Sequence, residues 1–189
     1  MTLNKYKIII IFLIILTSII IYKFTRSQNK FGDIIGTFDG VHSYSNQSGE
    51  TNSSELNYYN GICTGVKWQC VEFARRYLII KEGITFSEVD SAFEIPRAQF
   101  KTLNGVLVQM SNELKIGSLI VWPKGNEKGH EKGHEKGHRK GFPDGHVAIV
   151  RFVAPFGILV VEQNYKSDDF CRLIKNNDLK NVTIIGSPK

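Results

Sequence analysis

Three cysteines in a chain of 189 residues cannot all pair within one molecule, so at least one thiol is free. Cys70 is the one placed to react. It opens the best helical stretch in the chain, Trp68 to Ile80 (WQCVEFARRYLII), in which Val71, Ala74, Tyr77 and Leu78 share a face and after which Gly83 is a stop. A thiol attacks a carbonyl as its thiolate, and a helix N-terminus offers partial positive charge and unpaired N–H groups to an anion. The same setting can hold a developing oxyanion, with the Cys70 N–H as the first donor and Gln69 beside it as a helper. A cysteine on an apolar helix is equally an ordinary small hydrophobe. A proton acceptor is therefore needed to decide the matter.

Of the five histidines, His146 alone opens a strongly apolar strand, DGHVAIV, where rigid structure would hold its ring. His130, His134 and His138 follow glycine but run into charged residues, and His42 lies in a turn-rich segment. A base histidine works best when a third group fixes its tautomer and steadies the imidazolium. If His146 to Val153 pairs with Gly157 to Asn164 as a hairpin, Glu162 comes to the same end of the ladder as His146. Asn164, two residues on and on the same face, is the rival.

The elements that must position these groups read as α+β. Gly117 to Trp122 (GSLIVW), His146 to Val153 (HVAIVRFV) and Ile158 to Val161 (ILVV) are β-branched runs bounded by turn formers, and the last two should form a hairpin through Ala154 to Gly157. Val182 to Ile185 adds a closing strand, and Ser91 to Gln99 a short helical or turn segment interrupted by Pro96. Phe31 to Tyr44 reads as strand-poor and surface-like, and Ser45 to Asn60 as a polar loop without a period.

Between the first two strands the sequence EKGH occurs three times from Glu127 to His138. Glycine at every fourth position costs a helix about 1 kcal/mol each, and nothing from Lys124 to Gly141 can be buried. The expectation is a solvated insertion over 124–142. Histidines in such tracts can ligate zinc or nickel, but nothing here fixes their geometry, so neither a metal nor a cofactor is expected.

The first 24 residues differ from the rest. Ile8 to Ile21 is apolar except for Thr17 and Ser18, with Lys5 and Lys7 before it and Lys23 and Arg26 after. Tyr6 to Phe24 reaches the roughly 20 residues that a membrane-spanning helix needs. No small-x-small cleavage pattern follows. The organisation expected is an N-terminal single-pass membrane anchor at 1–24, a polar stalk at 25–30 and one catalytic domain at 31–189. The flanking charges leave the orientation open, which admits a viral or a host membrane. Hydrophobic residues at 42% and charged residues at 22% describe an ordinary folded body. The net charge of +6 is scattered among acids, with no basic stripe of the kind that binds nucleic acid.

GVKWQCVEFARRYL (Gly65 to Leu78), GSLIVWPKG (Gly117 to Gly125), DGHVAIV (Asp144 to Val150) and VVEQN (Val160 to Asn164) occur in the order and approximate spacing of the CHAP amidase family. The chain resembles in particular the amidase domain of glutathionylspermidine synthetase/amidase and of trypanothione synthetase, over about Phe31 to Gly186. The resemblance implies a papain-like α+β fold, of the kind shared with NlpC/P60 domains. It also implies a triad of Cys70 as nucleophile, His146 as base and Glu162 as the completing acid. It implies hydrolysis of a peptide–polyamine amide such as glutathionylspermidine. Carboxylates would be needed for the cationic end, with Glu94 and Asp144 as candidates. The ligase half of the bifunctional relatives has no counterpart here, so this chain could hydrolyse but not synthesise. The alternatives are a cell-wall peptide as substrate, or a catalytically inactive, membrane-tethered binding module. Cys63 and Cys171 are expected to be bystanders.

Overall fold

The computed structural model describes residues 7, 10–14, 17, 29–47, 53–125, 142–165 and 169–188. Most of the expected membrane anchor and nearly all of the EKGH tract lie outside the described residues. Among the described residues no helix is long and apolar enough to cross a membrane.

The centre of the fold is one helix against one sheet. Strands β7 (Leu119–Trp122), β8 (His146–Ala154), β9 (Gly157–Val161), β10 (Cys171–Lys175) and β11 (Thr183–Ile185) form a five-stranded antiparallel sheet in the order β10-β9-β8-β7-β11. The β8–β9 hairpin turns at Pro155 and Phe156, with Ala154 opposite Gly157. Helix α1 (Cys70–Glu82) ends where Gly83 adopts φ 64° and returns its N–H to the Leu78 carbonyl, the left-handed stop that glycine accepts most readily. Alternation along the strands makes two cores. Leu119, Val121, Val147, Ile149 and Val161 pack in one cluster with Phe73, Ala74, Tyr77 and Leu78 of α1. Ile120, Ala148, Val150, Val160 and Ile174 form the other.

Two expectations for the N-terminal third are corrected. Residues 31–60 are not strand-poor: β1 (Ile34–Phe38) pairs with β2 (Val41–Tyr44), and β3 (Leu56–Tyr59) pairs with β4 (Ile62–Val66). Both hairpins close through two-residue turns with positive φ at each position, Asp39-Gly40 (49° and 79°) and Asn60-Gly61 (49° and 80°). Asp-Gly and Asn-Gly are the sequences that tolerate this mirror-image turn, whose twist matches the flanking strands. The helix, too, is not merely amphipathic. Glu72, Arg75 and Arg76 are buried along with its apolar face, because the hairpins cover the side that would have met water. A Cβ at Gly65 of β4 would lie 3.4 Å from the Glu72 backbone, which measures how near the hairpin comes.

Glu72 and Arg76 satisfy each other within this layer, while Arg75 keeps its Nε without a hydrogen-bond partner. Arg76 Nε donates to Glu72 Oε1 at 2.6 Å and Arg76 Nη1 to the His42 carbonyl at 2.7 Å. Asn57 and Thr64 donate to Glu72 Oε1 at 2.9 and 3.0 Å. The remaining secondary elements are short. Strands β5 (Ile84–Phe86) and β6 (Phe100–Thr102) pair, flanking a 3-10 turn at Ala92–Arg97 that contains Pro96. A second 3-10 turn, Asn176–Leu179, follows β10.

Candidate active site

Cys70 is the first residue of α1, after Gln69 leaves the helix in an extended conformation at φ −83° and ψ 158°. The thiol lies at the edge of the apolar core, 9% exposed. At the end of the sheet, His146 is the first residue of β8 and stands opposite Trp122 of β7. Glu162 follows β9 directly. The Ile149–Val161 pairing, continued toward the sheet's end, sets it opposite Ala148, on the same face as His146 and diagonal to it. Alternation gives Trp122, His146, Glu162 and Arg172 the parity of Ile120, Ala148, Val160 and Ile174, so these four gather on one side of the sheet's end.

The contacts form a line. Glu162 Oε2 accepts from His146 Nε2 at 2.9 Å. This leaves Nδ1 as the ring nitrogen that meets the Cys70 sulfur, with which His146 shares a side-chain hydrogen bond. Backbone N–H groups of Val71 and Val147 also point at the sulfur. Burial alone would raise the thiol's pKa. The His146 charge, the His146 hydrogen bond and the two N–H groups outweigh it, and the thiol ionises below its ordinary range. Burial alone would push the imidazole down, but the thiolate and the Glu162 carboxylate raise it to about 9. Both shifts favour the same species at neutral pH, a thiolate–imidazolium pair seated against apolar walls.

Glu162 is itself held. Burial would raise its pKa, but the Arg172 guanidinium and His146 keep the carboxyl below the usual carboxylate range. Aromatic rings wall the histidine. Phe142 stacks on it with centroids 4.6 Å apart and planes 13° from parallel, and Tyr165 and Trp122 lie 5.6 and 5.8 Å away. Gly145 lets the chain turn into β8. It has φ 70°, and a Cβ there would come within 2.8 Å of the Trp122 carbonyl and 2.7 Å of the Phe93 nitrogen.

Other residues singled out from the sequence lie elsewhere in the network. Asn164 adopts φ 58°, leaves the strand direction, and donates from Nδ2 to Gln69 Oε1 rather than to His146. Gln69 is thereby tethered beside the thiol. The Glu94 carboxylate accepts from the Asp90 and Ser91 nitrogens at 2.9 and 3.0 Å, capping its own 3-10 turn. Asp144 is exposed in the turn before His146. Cys63 lies half-buried in β4, and Cys171 is exposed at the start of β10, where Arg151 reaches its sulfur at 3.3 Å. Among the described residues no cluster of His, Cys, Asp and Glu is arranged to hold a metal ion.

Sequence reasoning passed over Arg172, Gln163, Phe142 and Tyr165. Gln163 could have been suspected as the residue after Glu162 in VVEQN. Nothing in CRLIK marks Arg172, because its partners come from other strands.

The model of the CHAP domain matches residues 61–164, over half of the chain. The chain is 30% identical over 161 residues to the bifunctional glutathionylspermidine synthetase/amidase of Escherichia coli (strain K12), covering 75% of this chain and 24% of that protein. It is 27% identical over 146 residues to trypanothione synthetase of Crithidia fasciculata, covering 72% of this chain and 20% of that one. It is 29% identical over 168 residues to glutathionylspermidine synthase of the same organism, covering 73% and 21%. The chain thus spans about a quarter of the length of the curated relatives it matches, or less. With the cysteine and histidine segments both inside the matched range, the chain belongs to the CHAP-domain family of cysteine amidohydrolases.

Proposed function

We propose that this protein cleaves an amide bond through Cys70, His146 and Glu162. The observation that carries the reading is the buried line from the Cys70 sulfur through the His146 ring to Glu162, with the thiol ionising low and the imidazole high. The thiolate attacks the amide carbonyl, and the oxyanion forms beside the start of α1, where the Cys70 N–H has no partner within the helix. Asn164 engages the carbonyl end of the Gln69 side chain, which leaves the Gln69 amide nitrogen as a second donor. The tetrahedral intermediate collapses as the imidazolium protonates the leaving amine, releasing it and leaving an acyl-enzyme. His146, now neutral, takes a proton from water, which attacks the thioester and frees the acid and the thiolate. The architecture fits a papain-like arrangement, in which a helix carries the thiol and a sheet the base.

The substrate class proposed is a peptide–polyamine amide of the glutathionylspermidine type. It is supported by the likeness to the amidase named in the bifunctional Escherichia coli relative. Glu94 and Asp144 remain the proposed contacts for its cationic end, and the exposed carboxylate of Asp144 is the freer of the two. The test is to incubate the purified full-length chain with glutathionylspermidine and, separately, with cell-wall peptides, and to quantify released spermidine and muropeptide. Spermidine release that vanishes in Cys70→Ala supports the proposal. Release of muropeptide alone moves the substrate assignment to the cell wall and keeps the chemistry. Cleavage of neither, with an ordinary thiol titration at Cys70, leaves a binding module.

The N-terminal segment is proposed to hold the domain at a membrane. Ile10 to Ile14 are helical and each at least half exposed, an apolar row turned to the surface. Partitioning of the full chain into the detergent phase of a cloud-point separation, lost when residues 1–24 are removed, checks this.

A further inference from the structure

The triad's acid has a second partner that the proposed reaction leaves unused. Arg172 lies on β10, an edge strand of the sheet, and its guanidinium spans the Glu162 carboxylate: Nε donates to Oε1 at 2.7 Å and Nη2 to Oε2 at 2.9 Å. Oε2 also accepts from His146 Nε2 at 2.9 Å. Three of the roughly four lone-pair sites of the carboxylate are thus taken by donors of fixed geometry. The guanidinium cannot easily swing away. Its central carbon lies 4.0 Å from the Tyr165 ring centroid and 4.9 Å from that of Trp122, so two aromatic faces hold it. The Glu162 side chain is fully buried while that of Arg172 is 22% exposed, so the clamp closes the site from its solvent edge.

We propose that Arg172 is a positioning residue of the hydrolysis, holding the Glu162 carboxylate in the one orientation that receives His146 Nε2–H. The role rests on the triad reading above. A glutamate has several rotatable bonds, and a single hydrogen bond from an imidazole would not hold it in plane. A bidentate fork does, and only arginine supplies one. There is an electrostatic side to the arrangement as well. With the thiolate formed, charges alternate along the line Cys70, His146, Glu162, Arg172, and the buried set sums to zero instead of −1. The other charged or titratable groups facing the fork are the Tyr165 hydroxyl and the Asp178 carboxylate, from the loop after Glu162 and the turn after β10. Arg172 does not figure among the groups that shift His146 or Cys70 directly, so its influence on them passes through Glu162.

The experiment follows the rate of Cys70 alkylation by iodoacetamide against pH in the full chain, read by peptide mass spectrometry, in wild type, Arg172→Met and Arg172→Lys. Circular dichroism confirms folding. With the carboxylate released, the imidazolium loses its aligned acceptor, and the apparent thiolate pKa rises by about one unit, a roughly tenfold slower alkylation near pH 6. Arg172→Lys keeps the charge without the fork and behaves as the methionine variant does. It carries the test alone if Arg172→Met fails to fold. A wild-type alkylation profile in the folded methionine variant overturns the role, and a wild-type profile in the lysine variant shows that charge alone suffices and overturns the positional claim. An ordinary thiol profile at Cys70 in the unsubstituted chain is a different result: it removes the triad, and the role of Arg172 with it.

Discussion

The side-chain amide of Gln163 donates from Nε2 to the backbone carbonyl of Gln69 at 3.0 Å. Gln69 immediately precedes Cys70 and Gln163 immediately follows Glu162, so this one contact ties the start of α1 to the end of β9. The same nitrogen donates to Glu72 Oε2 at 2.9 Å, while Gln163 Oε1 accepts from the Tyr44 nitrogen at 2.8 Å. A fully buried glutamine thus joins helix, sheet and N-terminal hairpin at the point where the sulfur and the imidazole must meet.

Gln163→Leu should remove all three contacts at nearly constant volume. The Gln69 carbonyl keeps the Phe73 N–H and Glu72 Oε2 keeps Arg76 Nη2, so the Tyr44 N–H is the group left unpaired, and a loss of about 1–3 kcal/mol in urea denaturation is expected. Alkylation of Cys70 should slow at neutral pH because the helix start is no longer held against the histidine strand.

The pH dependence follows from the two opposed shifts. The proposed reaction requires the thiolate–imidazolium pair. It should rise as the pH passes the lowered Cys70 pKa, well below the ordinary thiol range, and fall as the imidazolium loses its proton near pH 9. For stability, a histidine whose folded pKa exceeds its unfolded value of about 6.5 stabilises the fold fully below that value and loses the contribution as the pH rises through about 9. The lowered Cys70 thiol contributes with the opposite sign over the same window, so thermal melts of the unsubstituted chain should change little between about pH 6.5 and 9 on account of this pair.

The Glu72–Arg76 pair is a separate test of the helix environment. Glu72 is fully buried and the Arg76 side chain is 6% exposed, with 2.6 Å between the charged atoms. Glu72→Ala leaves a buried guanidinium uncompensated and should cost about 3–5 kcal/mol in chemical denaturation. A loss below 1 kcal/mol would mean that water reaches Arg76 in the folded state.

Gly145→Ala probes the turn that delivers His146. Position 145 has φ 70°, and the added methyl carbon would meet the Trp122 carbonyl and the Phe93 nitrogen. Backbone atoms cannot swing aside as a flexible side chain can. Destabilisation of roughly 1–3 kcal/mol is expected, together with a fall in kcat greater than any change in KM as the imidazole shifts from the thiol. Wild-type kcat in this variant would show that the turn absorbs the methyl without moving His146.

Much of this protein can be read from local pattern. The amphipathic run beginning at Cys70, its glycine stop, and the β-branched strands around Leu119, His146 and Ile158 announce themselves because helix and strand periods are properties of neighbouring residues. The Asp39-Gly40 and Asn60-Gly61 turns were equally local signals. They pass unnoticed beside short strands whose burial is only partial, since β1 to β4 are half-buried covers that lack the clean alternation of core strands.

What the chain alone leaves open depends on contacts between residues far apart in sequence. Glu162 and Asn164 are equivalent candidates under strand alternation. The choice falls to the backbone, which turns to φ 58° at Asn164 and sends that side chain to Gln69. The burial of Glu72, Arg75 and Arg76 follows from hairpins that fold back over the helix, and the Arg172 clamp from the antiparallel pairing of β10 with β9. Types and periods settle which residues could react, because they act through the covalent neighbourhood. Only the packed tertiary fold could settle which carboxylate meets the imidazole and what holds it there, since those are distances across space between separate elements.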